Sequence, residues 1–141
     1  MNYISTRDDT RQTYSFSDVL LKGLADDGGL FVPESYPRFS TADIHGLKSL
    51  TYPELAYEII SRFVGECIPA EDLKGCIERT YTATAFQFDS ITPVETLYPH
   101  MYLQDLSTGP SLAFKDMAMQ FLGHLLDYEL KRRDERLCIV G

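Results

Sequence analysis

Gly109-Pro110-Ser111-Leu112-Ala113-Phe114-Lys115-Asp116, continuing into Met117-Ala118-Met119-Gln120-Phe121-Leu122-Gly123, is the stretch on which the reading of the fold turns. The small residues of the loop 107–111 give way to a run in which Phe114, Ala118, Phe121, Leu122, Leu125, Leu126 and Leu130 recur at helical spacing, so a long helix with one apolar face is expected to begin here. On its N-terminal side, residues 93–97 and 101–106 alternate like strands. On its C-terminal side, Leu137-Cys138-Ile139-Val140 reads as a buried strand arriving at Gly141. Strand, helix, strand is half of a parallel α/β unit, and such a sheet needs further strands and covering helices. The sequence stops where the next loop would start. Residues 91–141 are therefore expected to be the incomplete beginning of an α/β domain.

Working outward, residues 1–90 have a different character: a small, mostly helical domain with a little sheet. Tyr3-Ile4-Ser5-Thr6 reads as a short strand, and Ser15 with Asp18 has the form of a helix N-cap before Phe16, Val19, Leu20 and Leu24. Asp27-Gly28-Gly29 is a turn signal that calls for positive φ, followed by the strand Leu30-Phe31-Val32 closed by Pro33. A short helix is expected near 41–48. Thr51 and Glu54 form a second capping pattern, behind which Leu55, Ala56, Ile59, Ile60, Phe63 and Val64 draw an apolar stripe ended by Gly65. Pro69, Glu71 and Asp72 open a third helix carrying Leu73, Ile77 and Tyr81.

The formal charge of −8 argues against nucleic acid as a partner, because phosphate binding relies on dense Lys and Arg. The one basic cluster, Lys131-Arg132-Arg133, sits at the expected end of the long helix, where it complements the helix dipole. Three cysteines, Cys67, Cys76 and Cys138, are widely spaced and fit a reducing compartment; they suggest neither a disulfide framework nor a metal site. No signal-peptide core and no run of transmembrane length is present, so a cytoplasmic protein that does not engage a membrane is expected. His45, His100 and His124 are scattered singly and carry no pattern of catalysis.

The chemistry-bearing residue is Lys115. A helix N-terminus carries partial positive charge and prefers anions, and Leu112, Ala113, Phe114 and Met119 would desolvate an ammonium. Both effects favour the neutral, nucleophilic amine needed for Schiff-base chemistry. Asp116 is favoured by the same dipole. Taken by themselves, these residues also fit a solvated lysine beside a capping aspartate.

The string GPSLAFKD with the following Met-Ala-Met-Gln-Phe-Leu-Gly resembles the lysine motif of threonine synthases, HGPT-x-AFKD-x-A-x-Q-x-L. Tyr3-x-Ser5-Thr6-Arg7 and the run from Gly23 through Asp27-Gly28-Gly29 to Pro33 resemble the N-terminal pattern of the same family. The resemblance implies a fold-type II α/β enzyme dependent on pyridoxal 5′-phosphate (PLP), with 1–90 as its N-terminal domain and 91–141 as the start of its cofactor domain. It implies a carbon–oxygen lyase that converts O-phospho-L-homoserine and water to L-threonine and phosphate. Lys115 would hold the cofactor as a Schiff base and then move protons at Cα, Cβ and Cγ, with Phe114 and Asp116 beside the cofactor. The alternatives are a threonine-synthase-like phospho-lyase using the same lysine, or a non-catalytic binding module.

This sequence departs from the family pattern in having Ser107-Thr108 before Gly109-Pro110-Ser111, where many members have Phe-His before Gly-Pro-Thr. The hydroxyls of Ser107, Thr108 and Ser111 can donate to a substrate phosphate, or can serve loop turns instead. Arg7 can reach an active-site phosphate or pair with a neighbouring carboxylate. The family's Ser-Gly-Asp-Thr-Gly type of loop, suited to anion binding at a helix N-terminus, would follow Gly141. The 141-residue chain alone is therefore expected to be inactive, and its apolar end to drive self-association through an incomplete sheet.

Overall fold

The computed structural model describes residues 1–140. By packing, the chain divides into two compact units, residues 1–50 with 55–73, and residues 51–54 with 74 onward.

The first unit is built on a three-stranded antiparallel sheet. Its central strand Asn2–Ser5 (β1) pairs on one side with Tyr14–Ser15 (β2) and on the other with Phe31–Pro33 (β3), in the register Tyr3 opposite Tyr14 and Pro33. Tyr3 is buried, and its hydroxyl donates to the Phe63 carbonyl at 2.9 Å. The helix Phe16–Lys22 (α1) starts where expected: the Ser15 hydroxyl accepts from the Asp18 amide, satisfying one of the free first-turn donors. Ser40 and Asp43 form a reciprocal capping box at the start of Thr41–Leu47 (α2). At the start of Tyr52–Val64 (α3), the Glu54 carboxylate accepts from both the backbone amide and the hydroxyl of Thr51, each at 2.7 Å. Helix α3 ends at Gly65, whose φ of +63° suits glycine. Val64, Ile68 and Leu73 are essentially fully buried, each worth about 1.5–3 kcal/mol relative to exposure.

The second unit takes in the C-terminal part of Ala70–Thr80 (α4), the short helix Ala83–Phe86 (α5), an antiparallel hairpin of Val94–Tyr98 (β4) with Met101–Gln104 (β5), and the long helix Asp116–Arg133 (α6). Cys76, Ile77, Phe86, Ile91 and Leu125 are buried in it. Around the buried Tyr81 an aromatic cluster forms: Tyr52 meets it edge-on at 5.0 Å, Phe86 lies at 5.8 Å and Phe121 is stacked at 6.2 Å.

Mixed helix and small sheet is the architecture expected, and α1 to α4 fall close to where the sequence puts them, whereas β2 and α5 were not expected. One expected element is missing. Residues 136–140 form no strand: Leu137, Ile139 and Val140 are 49, 78 and 90% exposed. A strand is held by ladder hydrogen bonds to a neighbour, and none of the described strands lies beside this segment. The basic cluster also has closer partners than the helix dipole. Arg132 and Arg133 reach the fully buried Glu129 carboxylate at 2.6 and 3.5 Å, and Lys131 pairs with Asp127 at 2.8 Å.

Candidate functional site

Lys115 is the residue from which α6 grows, with φ −61° and ψ −25°, and its carbonyl accepts from the amides of both Ala118 and Met119. The first turn is thus anchored to the lysine's own backbone. Its side chain is exposed, and its amine has no hydrogen-bond or ion-pair partner among the described residues. The shielding expected from its neighbours is not there: Leu112, Phe114 and Met119 are 65, 66 and 56% exposed. This stretch of the apolar face, Phe114 and Ala118 included, is turned to solvent; Leu125, further along the helix, is buried.

The loop before Lys115 is held by Asp116. This carboxylate is buried, and its Oδ2 accepts from the Ser111 amide at 2.7 Å and from the Ser111 hydroxyl at 2.8 Å. Gly109 lies against the same side chain. A Cβ there would overlap the Asp116 Cβ and come within 2.6 Å of its Oδ2. Gly109, Ser111 and Asp116 therefore form one clasp that fixes how the chain enters α6. Within it Leu112 takes a φ of +58°, a left-handed conformation unusual for a bulky residue.

The remaining hydroxyls are also committed. Ser107 donates to Asp105 Oδ1 at 2.5 Å, and that bond, with the Ser107 amide on the same oxygen, holds the Asp105 carboxyl below its ordinary value. Thr108 is buried and donates to the Ile91 carbonyl at 2.6 Å. A hydroxyl has one proton to give, so Ser107, Thr108 and Ser111 would each have to release a protein acceptor before donating to a phosphate. Ser107 and Ser111 are exposed, each held by one carboxylate; Thr108 is buried.

In the first unit the two N-terminal motifs are joined. Asp27 Oδ1 accepts from the Ser5 hydroxyl at 2.8 Å and from the Gly29 amide at 2.7 Å, while Thr6 and Leu30 exchange hydrogen bonds. Gly28 has a φ of +76°, and a Cβ on Gly29 would overlap the Ser5 hydroxyl. Arg7 is exposed and its guanidinium donates to the Asp27 carbonyl at 3.5 Å; among the described residues no carboxylate pairs with it.

Two features of the site escaped the sequence: the Gly109–Asp116 contact, and the approach of Tyr81 to α6. The only signal of the first is a glycine and a carboxylate seven residues apart. Tyr81 reads simply as the last apolar position of its helix.

An unpaired, accessible amine at the head of a rigidly entered helix could be reached by an aldehyde-bearing cofactor without first releasing a protein partner. Among the described residues no group of three or more His, Cys, Asp or Glu could hold a metal ion, and no helix is long and apolar enough to cross a membrane.

Known proteins resemble the chain along its length. Residues 2–81 match the family model for the threonine synthase N terminus. Over its whole length the chain is 48% identical to a threonine synthase from Corynebacterium glutamicum, of which it spans 30%. It is 38% identical to threonine synthase-like 2 of Xenopus laevis, with 99% of the chain and 29% of that protein covered. The crystal structure of a PLP-bound threonine synthase from Brucella melitensis superposes with a TM-score of 0.90 at 40% identity, over 96% of this chain and 29% of that one. The chain thus spans about 30% of the length of the relatives it matches. With the family model covering more than half of its residues, and the clasped lysine motif lying in the part matched beyond it, the chain belongs to the threonine synthase N-terminal family.

Proposed function

We propose that this chain is the N-terminal part of a threonine synthase, with residues 1–90 as its first domain, 91–141 opening its cofactor domain, and Lys115 as the residue that holds PLP. The observation that carries the reading is the free Lys115 amine at the head of α6, within a sequence 48% identical to a threonine synthase. The cofactor, when bound, supplies an electron sink that stabilises negative charge beside the amine-bearing carbon. Lys115 supplies the amine that grips the aldehyde carbon. Its amine, once not engaged by the cofactor, would be the base that moves protons at Cα, Cβ and Cγ of the substrate. Phosphate then leaves Cγ, and water adds at Cβ. Asp116, through Ser111 and Gly109, keeps the approach to Lys115 in one conformation. Ser107, exposed and outside the clasp, is the hydroxyl best placed to turn toward a substrate phosphate; Ser111 would have to leave Asp116 to do so, and Thr108 holds the loop to Ile91.

The substrate is O-phospho-L-homoserine and the reaction that of a carbon–oxygen lyase. The acidic balance and scattered thiols support a cytoplasmic enzyme with no nucleic-acid partner. A phospho-lyase of the same branch, which would free phosphate without making threonine, is the second reading. The 48% identity to a threonine synthase favours the first reading over it. The test is product analysis on the complete protein supplied with PLP and O-phospho-L-homoserine. Threonine and phosphate in equal amounts are expected, falling by at least about a thousandfold in Lys115→Ala. Phosphate without threonine would select the phospho-lyase, and neither product would overturn both readings.

A further inference from the structure

We propose that Tyr81 is a positioning residue for Lys115, its hydroxyl tying the first turn of α6 to the end of α4. The Tyr81 hydroxyl donates to the Met117 carbonyl at 3.0 Å, two residues beyond Lys115 in the same turn whose amides are gathered by the Lys115 carbonyl. The ring cannot drift, because Tyr52, Phe86 and Phe121 surround it at 5.0, 5.8 and 6.2 Å. Tyr81 is itself buried, and burial pushes its hydroxyl up to about 12, so it remains a donor across any working pH. Leu112, Phe114 and Met119 near Lys115 are exposed and give it no hold; Asp116 ties the helix start back to the preceding loop, and the Tyr81 hydrogen bond ties the first turn of α6 to the end of α4. It sets the rotation and axial position of the turn, and hence the direction in which the Lys115 amine leaves the helix. The inference rests on the assignment of Lys115 as the cofactor lysine.

The test uses the complete protein and compares Tyr81→Phe, which keeps the ring and removes the tie, with Tyr52→Phe, which removes a hydroxyl from the same cluster that has no bond to α6. In Tyr81→Phe, hydrogen exchange at the amides of residues 117–119 is expected to rise about three- to tenfold, the weight of one hydrogen bond. The pH midpoint of the Lys115-bound cofactor's absorption should move, and kcat should fall by a similar factor with KM within twofold. Tyr52→Phe should leave all of these at wild-type values. Unchanged exchange in Tyr81→Phe would overturn the proposal. Raised exchange with an unmoved absorption profile and kcat would also overturn it, reducing Tyr81 to a structural role. Failure of the underlying functional reading looks different: the wild-type protein itself would show no lysine-bound cofactor absorption, and the proposal would fall with it.

Discussion

At the scale of single residues, the site is organised by close contacts that leave no room for an extra carbon. Gly109 stands against the Asp116 Cβ, an atom that no rotamer change can move, so Gly109→Ala forces the backbone itself to shift. Such overpacking costs about 1–3 kcal/mol. It should also dislodge Ser111 from Asp116 and with it the entry to α6. Gly46, inside α2 with nothing within 4 Å of its would-be Cβ, is the matched contrast. Gly46→Ala should stabilise by roughly 0.5–1 kcal/mol, since alanine loses less freedom in a helix. Urea unfolding followed by far-UV circular dichroism measures both, and equal effects of the two substitutions would contradict the clasp. Lys115 was singled out in the sequence by its place at a helix start and, above all, by the resemblance of the motif around it; the structure puts it at the head of α6. What surrounds it was not legible there. Leu112, Phe114 and Met119 are apolar and adjacent in sequence, but apolar character does not say which side chains meet, and here they face solvent.

At the scale of elements, helix starts were the most readable feature, because a cap involves residues only a few positions apart. Ser15, Ser40 and Thr51 all take part in such local hydrogen bonding. The Glu54 carboxyl is held below its ordinary value of 4.5 by the Thr51 hydroxyl and then the Thr51 amide, and Asp43 is held below 3.8 by the Ser40 amide and hydroxyl. Both groups have a lower value folded than unfolded, so their contribution is complete above those ordinary values and is lost as pH falls through the folded ones. Helical circular dichroism should therefore be flat from pH 7 to about 5 and decline below about 4, with a shallower decline in Glu54→Gln. A decline that Glu54→Gln leaves unaltered would show that this cap does not contribute. Strand pairing was harder to read. The alternation in 93–106 is the same for a parallel and an antiparallel partner, and only the positive-φ turn at His100 identifies the hairpin. The apolar run 137–140 has the composition of a strand, but strands exist only by pairing, and pairing is not a local property.

At the scale of the whole molecule, the exposed apolar surface is the dominant fact. Both strands of the β4–β5 hairpin are exposed along their full length, Val94, Leu97, Tyr98, Met101, Tyr102 and Leu103 among them, and Ile139 and Val140 add to it. A two-stranded hairpin with nothing packed on it is marginal in water, and patches of this kind promote association. The 141-residue polypeptide by itself should sediment with a concentration-dependent increase in mass; a monodisperse monomer at high concentration would contradict this expectation. The central claim is the role of Lys115, and borohydride reduction of the complete protein with bound PLP, followed by peptide mass mapping, tests it most directly. The expected result is a single stable adduct on Lys115, lost in Lys115→Ala. An adduct on Lys22, Lys48, Lys74 or Lys131 instead, or no adduct at all, would contradict the account.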